Sequence, residues 1–322
     1  MVLFARIATL GLLGLLTEAC HSPRSGSHVD GVNAPVVVSA TSASTEIAAP
    51  LGSVAPPAPS SSGDLVSPTV QPPWVHENLA VSAAACPREM NLVDGIYCPF
   101  ADHICSEWID QVRDRCARYA SPPLCEGKKE KKHFCIDRYE YPNLVGVRPA
   151  VMVNWFEAKA TCELEGKRLC TSSEWTLACE GEEILPFPYG YVRDTTMCNI
   201  DQPRPVPEPD FEAFSHPRRI SAEVSRLDLR TVSGGKPFCV SPYGVFDLTG
   251  NVDEWVVNED HFLPPRDGKP PPFISGLKGG YWGPIRARCR PITPSHNEWF
   301  RFYQVGFRCC AETVEPDEPS KE

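Results

Sequence analysis

Fourteen cysteines lie between Cys86 and Cys310 of this 322-residue chain, and a fifteenth, Cys20, stands apart near the N-terminus. No two of them form a C-x-x-C pair, so the usual signature of zinc ribbons and iron–sulfur sites is missing. Thiols at that density point to disulfides in an oxidising compartment. The cysteine-bearing part is therefore expected to be held by covalent ties more than by long helices or strands.

The N-terminus agrees with export. Arg6 precedes the apolar run Ile7 to Leu16, and Thr17-Glu-Ala-Cys20 follows. That is the outline of a secretory signal over residues 1–20. A run of ten is too short to span a bilayer as a helix. Cys20 is a candidate lipid-attachment cysteine, and if it carries lipid an even fourteen remain, enough for seven disulfides; the alternative is plain cleavage and secretion. Residues 21–85 hold nine prolines, twelve serines, five charged residues and no cysteine, so they are expected to be a disordered Pro/Ser/Ala-rich linker. A Cys-rich module at 86–133, a main domain at 134–314 and an acidic tail at 315–322 complete the division. The expected location is the bacterial envelope, outer membrane or periplasm, through a lipid anchor, or outside the cell.

The charge balance, 31 Lys and Arg against 41 Asp and Glu, gives −10 and argues against nucleic acid, which needs a concentrated basic surface. No repeat of fixed period is visible. Phe134-Cys-Ile-Asp-Arg-Tyr-Glu-Tyr141 alternates as a strand. Asn154 with Glu157, and Thr171 with Glu174, form two capping boxes, with Gly166 and Gly181 as the stops of two short helices. Trp155, Ala158 and Cys162 share one helical stripe, and Trp175, Ala178 and Cys179 the other. From 182 to 300 helical periodicity does not return, and short strands are expected at 243–248, 278–282 and 305–310.

Several segments together resemble one family. Val153-Asn-Trp-Phe-Glu-Ala158, Gly166-Lys-Arg-Leu169, Ser173-Glu-Trp175, Gly250-Asn-Val-Asp-Glu-Trp255, Lys278-Gly-Gly280 and Gly306-Phe-Arg308 stand in the order seen in the formylglycine-generating enzyme, or sulfatase-modifying factor, family, over roughly residues 130–312. The resemblance implies an α+β, C-type-lectin-like fold with little regular secondary structure. It also implies disulfides from Cys162 to Cys309 and from Cys179 to Cys289. Pairs of Cys198 with Cys239 and of Cys170 with Cys310 are further guesses, which leaves the six cysteines from Cys86 to Cys135 to pair among themselves with connectivity open. Vicinal Cys309 and Cys310 are expected to face opposite ways, each bonded elsewhere, and Arg308 to make a buried ion pair.

Formylglycine formation in that family uses two thiols five residues apart, just after Gly-Gly, to hold copper(I), a soft ion that demands thiolate. Here Gly280 is followed by Tyr281-Trp-Gly-Pro-Ile-Arg-Ala-Arg288 and then Cys289, with no cysteine in the gap. The catalytic pair is absent, and no catalytic residue is assigned. Iron of the sulfoxide-synthase kind needs clustered histidines, and none of the eight here stands in a His-x-His or His-x-x-x-His pattern. Copper and iron are therefore not expected. Calcium is implied by the resemblance as a structural ion: the side chains of Asp247 and Glu254 with the carbonyls of Gly250 and Val252 in one loop, and Asn199 with the Ile200 carbonyl in a second, whose acidic partner is guessed to be Asp228. Asp253 stands where the family usually has an aromatic residue.

The stretch from Tyr281 to Phe302 mixes flat apolar faces with donors. Trp282, Arg286, Arg288, His296, Trp299 and Arg301 are the candidate ligand groove, suited to an exported peptide, a protein or a sugar. The equal alternative is that the tryptophans are core and the arginines solvated. The function expected is a monomeric cell-envelope binding or scaffold module without formylglycine-generating activity; the alternative is a metal-dependent oxidase or modifier of exported peptides.

Overall fold

The computed structural model describes residues 85–264 and 270–314. The expected signal with Cys20, the linker up to residue 84 and the acidic tail from 315 lie outside the described residues. The chain divides into units of residues 1–65 and 66–322, and everything described belongs to the second.

The architecture is α+β, with three short α-helices, two 3-10 helices and twelve short strands among the described residues. One sheet has the order β1 (Met90–Tyr97), β6 (Glu130–Asp137), β12 (Cys309–Ala311), β7 (Arg168–Leu169). A second has the order β10 (Ile292–Thr293), β9 (Ser275–Lys278), β8 (Asp253–Val257), β11 (Val305–Phe307). Two ribbons, β2 (Phe100–Ala101) with β5 (Cys125–Glu126) and β3 (Cys105–Asp110) with β4 (Arg115–Tyr119), make up the rest of the Cys-rich module. β1 runs antiparallel along the whole of β6, from Met90 opposite Asp137 to Tyr97 opposite Glu130. The module's first strand is thus the outer strand of the first sheet.

Helices α1 (Trp155–Leu164) and α2 (Ser172–Glu180) begin where their caps place them. Asn154 Oδ1 accepts from Glu157 N and Glu157 Oε2 accepts from Asn154 N, each at 2.9 Å; Thr171 and Glu174 make the same reciprocal pair. Gly181 ends α2 at φ 66°, a conformation that favours glycine. The buried stripe of α1 packs with Trp255, Leu277 and Phe307; that of α2 packs with Val93, Phe134, Ile136 and Val256.

Four expectations are corrected. Helical structure does return after 182, as α3 (Ile220–Leu227), whose N-terminus has no side-chain cap and so lacked the signal that marked the other two. The stretch 243–248 makes only an isolated bridge, Val240 with Phe246. The strand expected at 278–282 is β9, four residues long and finished by Gly279 and Gly280 at φ 86° and 76°. The stretch 305–310 is two strands: β11 lies parallel to β8 in the second sheet, β12 lies antiparallel to β6 in the first, and Arg308 is where the chain passes between them.

Disulfides join these parts. Cys162–Cys309 and Cys170–Cys310 tie α1 and the segment before α2 to β12, across separations of 147 and 140 residues. Cys179–Cys289 ties α2 to the chain leaving Gly-Gly, and Cys198–Cys239 ties two loops. These include both pairs that the resemblance implies. In the chain-entropy model a loop of that length stabilises by on the order of 4–5 kcal/mol. The six cysteines of the Cys-rich stretch pair as a nested set: Cys86–Cys135 outside Cys98–Cys125 outside Cys105–Cys116.

Candidate functional site

The Gly250–Trp255 segment lies at an ionic core. Asp247, Gly250 and Asn251 take left-handed φ values of 60°, 83° and 57°, so the turn into β8 is tight. Asn251 is its hub: Oδ1 accepts from Asn199 Nδ2 and Thr231 N, and Nδ2 donates to Glu140 Oε2 at 2.7 Å. Glu140 also accepts from Val252 N. At the start of β8 Glu254 accepts from Arg308 Nε and Nη2, both at 2.7 Å, and from Trp175 Nε1 at 2.7 Å. Arg308 Nη2 donates further to the Phe246 carbonyl. This is the buried ion pair expected of Arg308.

Three buried carboxylates, Glu140, Asp247 and Glu254, thus face one guanidinium. Burial, and then repulsion from Asp247 and Glu254, raises the Glu140 carboxyl well above the usual range. Burial pushes Asp247 up to about 7, against the Gly234 N–H that it accepts. Asp247 Oδ1 is buried with no hydrogen-bond partner. Among the described residues no three His, Cys, Asp or Glu side chains are grouped to hold a metal ion by themselves, so any cation here depends on carbonyl oxygens as well. The orphaned Asp247 oxygen is the one side-chain donor free to take a calcium ion in this loop, because both Glu254 oxygens are held by Arg308 and Trp175. The second loop does not fit: Asn199 Oδ1 accepts from Gln202, and Asp228 is paired with Arg230 and Arg148.

A cleft opens directly beyond. Gly279 and Gly280 turn the chain out of β9, and a Cβ at Gly280 would stand 2.9 Å from Ile285 and 3.0 Å from Ala287. Trp282 is then anchored by its backbone, N–H to the Asn251 carbonyl at 3.3 Å and carbonyl from Gln202 N at 2.8 Å. The cleft, about 190 Å³, has walls of Tyr281, Trp282, Phe302 and Tyr303 with Gln304 among them. Its other rim is the loop Pro203–Pro209 and Phe211, which carries Arg204 and Glu208. The rings of Tyr281 and Tyr303 meet edge to face, with centroids 6.4 Å apart. Asp253, the first residue of β8 and next to Glu254, has a carboxyl that burial, offset in part by Arg286, pushes up to about 7.

The six residues expected to share one groove are divided. Trp282 lines the cleft. Arg286 donates to Ile292 O and Thr293 Oγ1 at β10. Arg288 reaches into the Cys-rich module, to Asp114 at 2.9 Å and the Tyr119 hydroxyl at 2.6 Å. The His296 ring stacks on Phe300 at 3.8 Å. Trp299, 69% exposed, leans on Phe156 of α1, and Arg301 pairs with Glu157 at 2.9 Å. Each arginine is claimed by a partner within the protein, six or seven residues on for Arg286 and more than a hundred residues away for Arg288 and Arg301. The wall residues that sequence reasoning passed over are Phe211, Tyr303 and Gln304. Four prolines within 203–209, too dense for helix or central strand, were the one local sign of a wall there.

A family model of the sulfatase-modifying factor enzyme 1-like domain matches residues 125–313. The inactive C-alpha-formylglycine-generating enzyme 2 of Bos taurus is 30% identical over 112 residues, 34% of this chain and 33% of its own length. Its namesake in Mus musculus is 28% identical over 177 residues, 53% of this chain and 51% of its own. The formylglycine-generating enzyme of Mus musculus is 27% identical over 190 residues, 51% of this chain and 44% of its own. The chain thus spans about a third to a half of the length of these relatives.

Proposed function

Because the chain belongs to the family of sulfatase-modifying factor enzyme 1-like domains, we propose that it is a member without formylglycine-generating activity that works in the cell envelope as a binding or scaffold module. The observation that carries this reading is the state of its cysteines. No cysteine stands between Gly280 and Cys289, Cys289 is bonded to Cys179, and all fourteen cysteines among the described residues are in disulfides. Copper(I) chemistry of the family's kind needs free thiolates at that turn. Two of the relatives carry the word inactive in their names, which favours the same reading.

In place of the thiols stands the aromatic cleft, whose ligand is an exported peptide, protein or sugar. The anchor is lipid on Cys20. Calcium, held by Asp247 and Glu254 side chains with the carbonyls of Gly250 and Val252, serves the scaffold by offsetting buried negative charge. The test is incubation of the copper(I)-loaded chain with a cysteine-bearing sulfatase peptide, followed by a hydrazide probe for aldehyde. No aldehyde is expected, and aldehyde formed with turnover overturns the reading.

A further inference from the structure

A second cavity, of about 510 Å³, lies where the β2–β5 ribbon meets Arg290, and it shares no residue with the Trp282 cleft. Its volume is that of a small-molecule site. The walls are residues 99–102 with Glu126, Gly127 and Arg290. Phe100 stands opposite Glu126 in the ribbon and Asp102 is two residues further on, so the three side chains share one face. All three residues are exposed, and neither carboxylate has a hydrogen bond or ion pair among the described residues. Arg290 is the only cation among the described lining residues. Its Nη2 is held by Cys98 O at 2.8 Å and Glu180 Oε1 at 2.6 Å, while Nη1 makes no hydrogen bond among the described residues. Glu180 lies behind it, fully buried, and does not line the cavity. His103, beside Asp102, adds no charge: burial first, and after it the guanidiniums of Arg290 and Arg288, push its ring down to about 4 against the bond to Ile184 O. The cavity is therefore dipolar, with a cation on one wall, two unpaired carboxylates on the other and an apolar ring between.

We propose that this cavity binds the zwitterion of a free α-amino acid with an apolar side chain. A plain anion is repelled by Asp102 and Glu126, and a plain cation by Arg290; a ligand that carries both charges meets each wall with the opposite sign. Its carboxylate accepts from Arg290 Nη1, and its ammonium donates to Asp102 and Glu126, all charge-assisted hydrogen bonds. The side chain lies against Phe100, which is 61% exposed in the free protein, and Pro99. The size selects the class. A cavity of this volume is roughly 8 Å across, which matches a carboxylate and an ammonium on one carbon with a hydrogen bond of about 2.8 Å at each end.

The probe is free L-leucine, titrated calorimetrically into the full chain beside three controls. N-acetyl-L-leucine keeps only the carboxylate, L-leucinamide keeps only the ammonium, and glycerophosphoethanolamine is a lipid headgroup with both charges set further apart. Leucine is expected to bind about tenfold tighter or more than any control, since each control lacks one charge-assisted contact or the spacing. Asp102→Asn combined with Glu126→Gln tests the site without disturbing the fold, because neither carboxylate has a partner within the protein to lose. This double variant weakens leucine about tenfold or more at unchanged melting temperature and leaves N-acetyl-leucine no weaker. Leucine bound no better than N-acetyl-leucine makes the cavity an anion site, leucine bound no better than leucinamide makes it a cation site, and preference for the headgroup assigns it to lipid; each overturns the proposal. So does leucine binding that ignores the double variant, or no leucine binding at about 10 mM. The reading of the Trp282 cleft stands under all of these outcomes.

Discussion

The ionic core around Arg308 and the cleft around Trp282 are adjacent, joined by the hydrogen bond from Trp282 N to Asn251 O, yet they are built on opposite terms. In the core, each charged group is buried and, apart from Asp247 Oδ1, met by a partner within the protein. In the cleft, aromatic side chains frame an open space, and Gln304 Oε1 beside them is buried without a partner. Burial with pairing holds the two sheets together. The family likeness is densest in the first region and breaks down in the second, where the thiols are gone.

Arg308→Met attacks the core and carries the largest expected effect. It leaves the Glu254 carboxylate buried without its cation beside Glu140 and Asp247, for a loss of about 3–5 kcal/mol in urea unfolding. A loss below about 1 kcal/mol would erase the contrast between the regions. Calcium removal comes next. Chelation lowers the melting temperature of the parent chain, since an ion present at about a hundred times its dissociation constant adds about 2.7 kcal/mol. Asp247→Asn abolishes that response, and without metal it melts above the parent because one buried charge is gone. A parent chain indifferent to chelator sinks the calcium assignment.

Lys278, at the end of β9, lies between the two regions and sharpens the comparison through pH. Its Nζ donates to Thr176 Oγ1 and Arg290 O, and burial lowers its pKa from 10.5 to about 7. Between about 7 and 10.5 the unfolded chain holds a proton that the folded chain lacks, so stability rises with pH across that window. Lys278→Met removes this slope, on the order of 1 kcal/mol per pH unit. Denaturation midpoints of parent and variant at pH 7, 8 and 9 check it, and parallel profiles would refute it. The smallest effect belongs to Trp282→Phe, which costs about 1–2 kcal/mol because phenyl fills only part of the space of the buried indole while no internal hydrogen bond is lost. A larger loss would mean that the indole is a structural part of the core.

What was legible in the sequence was local or carried by the resemblance. The capping boxes at Asn154 and Thr171 announce their helices because donor and acceptor lie three residues apart. β1 and β8 gave no alternation because both faces are covered: in Met90-Asn-Leu-Val93 all four residues are buried, with Val93 under Trp175 and Met90 and Leu92 against Cys86 and Cys135. Of the four cysteine pairs of the main domain, Cys162–Cys309 and Cys179–Cys289 came from the family pattern while Cys170–Cys310 and Cys198–Cys239 were guesses, since spacing alone cannot choose among connectivities. The scattering of Arg286, Arg288 and Arg301 was not legible, because Asp114, Thr293 and Glu157 compete for them only once the chain is folded. Charge and flatness in a loop suggest a groove; which carboxylates reach that loop is decided at long range.

The central claim is that the family's reactive turn has become a thiol-free cleft, and a copper titration tests it most directly. The full chain, folded oxidatively, is assayed for free thiols before and after denaturation, then titrated with copper(I) against a competing chelator. The account predicts no free thiol from Cys86 to Cys310 and no copper held at the Gly280–Cys289 turn. Two free thiols that bind one copper(I) tightly would contradict it.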